Sequence, residues 1–137
     1  MTLGSPEPSW IEEHDALELH ARLLALDGGA PGVRDPGLLA SALARPRQHH
    51  EYDGTTDVVR LAALHTEAIV RNHPFVDGNK RTGFVVGVLY LELHGFAFMA
   101  PQELATLAVL DLAAGRTNLD GYERFLRDHV RPRAERP

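Results

Sequence analysis

Cysteine is absent from this 137-residue chain, so no disulfide framework and no thiolate metal site can be built from it. That absence fits a reducing compartment. Long apolar runs are also missing. The longest, Phe84 to Leu91, stops at Glu92 and contains Gly87, far short of the roughly 20 residues that cross a bilayer. The N-terminus (Met-Thr-Leu-Gly-Ser-Pro-Glu-Pro) has neither the basic start nor the apolar stretch of a signal peptide, so a soluble, cytoplasmic protein is expected. There is no basic excess: 14 Lys and Arg stand against 19 Asp and Glu, a net charge of −5, which argues against broad nucleic-acid binding. No internal repeat is visible, and alternating strand patterns are scarce.

What remains is an ordinary globular composition of a length that suits one domain. Residues 1–8 and 131–137 are proline-punctuated and read as flexible ends around a domain at 9–130. Six helical segments are expected within it. The first runs from Ser9 to Asp27, with Ser9 and Glu12 as a capping box and Gly28-Gly29 as the stop. The second opens at Asp35-Pro36 and ends before Pro46. The third starts at Asp57 and ends at Asn72 and His73, ahead of Pro74. The fourth, from Asn79 to His94, is apolar almost all round and reads as a buried central helix. The fifth runs from Pro101 to Gly115 with Leu104, Leu107 and Ala108 on its buried stripe. The sixth begins near Asn118, and Leu119, Tyr122, Phe125, Leu126 and Val130 share one of its faces. Two loops stand out: Gly28 to Arg34, and Pro46 to Thr56 with His49, His50 and Tyr52. The fold class is therefore an all-α bundle around one hydrophobic helix.

The loop Pro74 to Gly78 leads into that helix, whose first turn carries Lys80 and Arg81. A helix N-terminus is already partly positive, and a cation there costs about 0.3–1 kcal/mol. The placement makes sense if an anion sits at that turn, held by backbone N–H groups and both side chains. Gly78 would let the backbone approach that anion, and Asn79 can cap the helix or donate to a phosphate oxygen. Asp77 is a hard oxygen ligand suited to Mg²⁺ shared with a nucleotide. His73 is the loop's one proton acceptor near neutral pH. A helix C-terminus favours its charged form, whereas Lys80, Arg81 and a metal disfavour it. Base, metal carboxylate and phosphate cradle fall within nine residues, the inventory of phosphoryl or nucleotidyl transfer.

The stretch His73-Pro-Phe-Val-Asp-Gly-Asn-Lys-Arg-Thr-Gly83 closely resembles the signature of Fic/Doc proteins, His-x-Phe-x-Asp/Glu-Gly/Ala-Asn-Gly/Lys-Arg, and in particular the Doc (death-on-curing) toxin branch. Leu19 to Leu23, Gly28 to Gly37 and the helical region to about Val130 extend the likeness. The resemblance implies that His73 activates a target hydroxyl and that Asp77 binds Mg²⁺. It implies that Gly78, Asn79, Lys80 and Arg81 hold the phosphates of ATP, and that Phe75 anchors the loop in the core. Nucleotide-transferring Fic proteins have glycine at Lys80 and a second arginine at Phe84; lysine blocks close backbone approach, and the lost arginine removes a bidentate clamp. Doc proteins share the lysine, which implies ATP bound in the reversed sense and transfer of its γ-phosphate to a hydroxyl of a target, elongation factor Tu in the Doc case. The inhibitory Ser/Thr-x-x-x-Glu-Gly/Asn helix of some Fic proteins is not matched by Ser9 to His14, so a separate Phd-type antitoxin is the expected control.

Three other readings compete. One is transfer of AMP rather than phosphate. Another is a metal-dependent phosphohydrolase built on the His14-Asp15 doublet with His65, His73 and Asp77. The last is an inactive scaffold for the antitoxin. Other histidines have plainer readings. His65 is expected to be a satisfied core residue and His20 to orient a buried backbone group. His49 and His50 read as solvated residues of a loop that corresponds, by resemblance, to the flap along which Fic proteins dock their targets.

Overall fold

A computed structural model describes residues 7–133, and the rest of the expected flexible ends lies outside the described residues. Helices α1 (Glu13–Asp27), α2 (Pro36–Asp53), α3 (Val58–Asn72) and α4 (Asn79–Leu93) come first. They are followed by strand β1 (Phe96–Phe98), helices α5 (Gln102–Ala113) and α6 (Leu119–Asp128), and strand β2 (Val130–Pro132). The all-α class and the six helices are as expected. No helix among the described residues is long and apolar enough to cross a membrane.

The centre is shared by two helices. On α3, Leu61 to Thr66 and Ala68 to Ile69 are buried in almost continuous sequence, so this helix is enclosed more completely than α4. α4 lies along it through two glycines one turn apart. A Cβ on Gly83 would meet the Thr66 carbonyl oxygen at 3.2 Å, and one on Gly87 would meet Thr66 Oγ1 at 2.3 Å. Thr66 Oγ1 uses the close approach to donate to the Gly83 carbonyl at 2.8 Å. The crossing ties the helix that ends at His73 to the helix that begins with Asn79, Lys80 and Arg81.

Four expectations are corrected. α1 starts at Glu13, with the Glu12 N–H donating to Asp15 Oδ2 at 3.0 Å; the Ser9 N–H instead donates to His94 Nε2 at 3.0 Å. α2 continues through the buried Pro46 to Asp53, so His49, His50 and Tyr52 are helical and the expected loop shrinks to the residues after Asp53. The extension is held from outside by Arg47, which pairs with Glu12 at 3.0 Å and lies over the Trp10 ring, and from within by His49 Nδ1, which meets Asp53 at 2.8 Å one turn on. On α5 the buried residues are Ala105, Val109 and Leu112, while Leu104 and Leu107 face outward. Finally, Arg131 and Pro132, expected in the flexible tail, pair antiparallel with β1 in the register Phe96–Pro132, Ala97–Arg131 and Phe98–Val130.

Candidate active site

The site is built from the end of α3, the start of α4 and the connection between α1 and α2. Asp57 caps α3 by accepting from the Val59 and Arg60 N–H groups. The helix then runs to Asn72 and turns at His73, whose φ of 52° is the left-handed value that ends many helices. Pro74 and Phe75 dive into the core, Phe75 with no exposed surface, as an anchoring residue should. The chain re-emerges at Val76 and Asp77, and Gly78 reverses it with φ 78° into α4.

Asn79 holds this loop closed. Its Oδ1 accepts from the Phe75 N–H and its Nδ2 donates to the Phe75 carbonyl, both at 2.9 Å, and the residue is 4% exposed. The expected capping role is therefore corrected: Gly78 is the N-cap, and the Asn79 amide is spent inside the loop. The reason for glycine at position 78 also changes. A Cβ there would face Leu24 and His20 at ordinary contact distances, so the positive φ, not the approach of an anion, demands it.

The α1–α2 connection closes the other side. The Val76 N–H donates to the Gly32 carbonyl at 3.0 Å, within an isolated bridge between Val33 and Phe75. The Ala30 N–H donates to Asp77 Oδ2 at 3.1 Å, and the Gly78 N–H to Asp77 Oδ1 at 2.9 Å. These two bonds, Ala30 first, hold the Asp77 carboxyl below the usual carboxylate range, and the charges of Arg81 and Lys80 act weakly in the same direction. Gly29 leaves room for the arrangement, since a Cβ on it would lie 3.0 Å from Asp77 Oδ2 and 2.8 Å from Leu24 Cδ2. From beneath, His20 stacks flat on Phe75 (centroids 3.9 Å apart, planes 9° apart) and its Nε2 donates to the Asp77 carbonyl at 2.8 Å. This is the backbone-orienting role expected of it.

Four of the expected site residues face solvent around this loop: His73, Asp77, Lys80 and Arg81. Arg81 pairs with Asp27 at 3.3 Å, both half exposed, while Lys80 enters no ion pair among the described residues. The first bond of α4 back to the turn is Thr82 N–H to the Gly78 carbonyl. The N–H groups of Asn79, Lys80 and Arg81 therefore have no carbonyl partner within the helix and stay available to an anion. Mg²⁺ commonly takes one or two carboxylates and completes its shell with phosphate oxygens and water. Asp77, ionised and with only one N–H on each oxygen, fits that use. No group of three His, Cys, Asp or Glu side chains among the described residues could hold an ion without such help. His65 and His14 lie apart from the site. His65 is buried with Nδ1 donating to the Leu61 carbonyl, although its Nε2 is left without a partner, and His14 is exposed on α1.

Sequence reasoning missed Ala30 and Arg34. Arg34 donates from Nε to the His73 carbonyl at 2.8 Å and from Nη2 to the Asn72 carbonyl at 3.1 Å. The glycine- and proline-rich spacing of residues 28–37 signalled a shaped loop, but nothing local revealed what it touches.

Comparison with known proteins agrees with this geometry. A family model described as "Fic/DOC family" matches residues 10–91. The chain is 32% identical over 117 residues to "Protein kinase doc" of Escherichia phage P1, an alignment that covers 85% of this chain and 92% of that protein. It is 38% identical over 74 residues to "Toxin Doc" of Mycolicibacterium smegmatis, covering 53% and 57% respectively. A loop that joins an exposed histidine to a cationic helix start, inside a match of this extent, makes the chain a member of the Fic/Doc family.

Proposed function

We propose that this chain is a Doc-type toxin that transfers the γ-phosphate of ATP to a hydroxyl group of a target protein. The observation that carries the reading is the meeting, in one short loop, of an exposed imidazole at the end of α3 with free N–H groups and two cations at the start of α4. His73 takes the proton of the target hydroxyl. The freed oxygen attacks the γ-phosphorus, the bond from that phosphorus to the bridging oxygen breaks, and ADP leaves with the electron pair. Lys80, Arg81 and the α4 N–H groups balance the charge on the phosphates, while Gly78 and Asn79 keep the turn in shape. Mg²⁺, held by Asp77 and the nucleotide, would supply further charge neutralisation. Lysine at position 80 supports phosphoryl over nucleotidyl transfer, and so does the name "Protein kinase doc" of the phage relative.

By family resemblance the target is elongation factor Tu, the control is a Phd-type antitoxin, and the compartment is the cytoplasm. The metal-dependent phosphohydrolase reading loses support because His14, His65 and Asp77 do not converge. The test is incubation of the protein with Mg²⁺, elongation factor Tu and ATP labelled at the α or the γ position, with His73→Ala as control. Label from the γ position only, lost in His73→Ala, is the expected result. Label from the α position would assign AMP transfer, and an unlabelled target with both would count against the reaction or this target.

A further inference from the structure

Among the described residues His73 alone has a positive φ without being glycine. An L-residue avoids that region unless its surroundings impose it. Beside the bond from the His73 N–H to the Ile69 carbonyl, the surroundings here are chiefly one residue. Arg34 donates from Nε to the His73 carbonyl and from Nη2 to the Asn72 carbonyl, while its own N–H donates to the Pro74 carbonyl at 2.7 Å. Three successive carbonyls are thus held by one residue, at a helix end whose carbonyls lack partners and favour a cation. Arg34 is itself fixed. The Val33–Phe75 bridge precedes it, and Asp35 follows, with its N–H on the Pro74 carbonyl and its side chain capping α2 at Leu38.

We propose that Arg34 is a positioning residue that holds His73 in its left-handed conformation, and so sets the direction in which the imidazole leaves the backbone. The proposal rests on the reading of His73 as the proton acceptor. Two neighbouring carbonyls need a planar fork of donors, which arginine has and lysine lacks. A clamp and a mere countercharge therefore separate in the Arg34→Lys variant, with Arg34→Gln removing both.

The experiment compares wild type, Arg34→Lys and Arg34→Gln as full chains. The His73 backbone is read by its H–N–Cα–H coupling and Cα shift in NMR, and phosphate transfer by steady-state kinetics. In both variants the His73 signals should leave their left-handed values. The transfer kcat should fall between about ten-fold and a hundred-fold, as expected for a misplaced catalytic group. KM for ATP should stay within about two-fold, because the α4 turn is untouched. Unchanged His73 signals would overturn the proposal, and so would a full rate in Arg34→Lys. A raised KM for ATP with kcat preserved would instead make Arg34 a phosphate contact. If the wild-type protein transfers nothing, the proposed reaction fails, and the NMR comparison alone decides the clamp. Arg34 is exposed, so both variants should fold; melting curves verify this.

Discussion

Replacing Asn79 separates two roles that its position in the motif leaves open. If its amide serves the phosphates, Asn79→Ala weakens ATP binding and spares the fold. If it serves the loop, the fold itself suffers. The amide satisfies both polar groups of the Phe75 backbone, and Asn79 is buried. Each buried group left without a partner costs about 1–3 kcal/mol, so the pair should cost roughly 2–6 kcal/mol. For a domain of this size each kcal/mol lowers Tm by roughly 3–4 °C, which predicts a fall of about 6–24 °C. Asn79→Asp should be no better, since it sets a carboxylate oxygen against the Phe75 carbonyl. The assay is thermal denaturation followed by circular dichroism, beside calorimetric titration with Mg-ATP well below Tm. A variant that melts within about 1 °C of wild type yet binds ATP more than ten-fold more weakly would refute the reasoning.

Other perturbations bear on the frame around the loop. Gly87→Ala puts a methyl group where Thr66 Oγ1 now lies, and Thr66 cannot rotate away without breaking its buried bond to Gly83. Overpacking of about 1–3 kcal/mol should outweigh the gain of up to about 1 kcal/mol in helix propensity, and Thr66→Ala in the same chain should recover part of the loss in urea denaturation. Asp27→Asn releases Arg81, and because the pair is half exposed the gain in ATP affinity should not exceed about five-fold by calorimetry; weaker binding would contradict the assignment of Arg81 to phosphate. Burial pushes the His65 pKa down to about 4, below its unfolded value near 6.5. The unfolded chain therefore binds the proton first: stability is full above pH 6.5 and falls as pH drops toward 4, by on the order of 3 kcal/mol. Urea midpoints at pH 7 and pH 5 should show the drop in wild type and a smaller one in His65→Gln; equal drops would remove His65 as the cause.

The shape of the loop between α3 and α4 was legible because its signals are local. Proline ends α3, glycine reverses the chain, and adjacent cations at a helix start have no stabilising purpose of their own. The helix ends marked by Asp35, Asp57 and Asn118 were legible for the same reason, since each accepts from an N–H two or three residues ahead. What failed depends on distant partners. Pro46 looked like a stop because the contacts that carry α2 past it come from Glu12 and Trp10. The α5 stripe was misplaced by one position, because Leu104, Leu107, Leu110 and Leu112 leave more than one apolar face, and the buried one carries Ala105, Val109 and Leu112. The three-residue strands are too short to show a period, and their pairing spans 32 residues or more of chain. Asn79 was read outward because a cap is its commonest use at that position. Arg34 was missed because its acceptors lie 38 and 39 residues away.

The small ribbon of β1 and β2 bears on how the molecule tolerates shortening. β1 alternates two phenylalanines and, alone, would offer the unsatisfied edge on which other chains aggregate. β2 covers it with Val130, Arg131 and Pro132, and the proline has no N–H to recruit a further strand. A stop codon placed after Asp128 would thus leave the loop from His73 to Arg81 chemically intact and still endanger the protein, by turning the far end of α4 into a template for self-association.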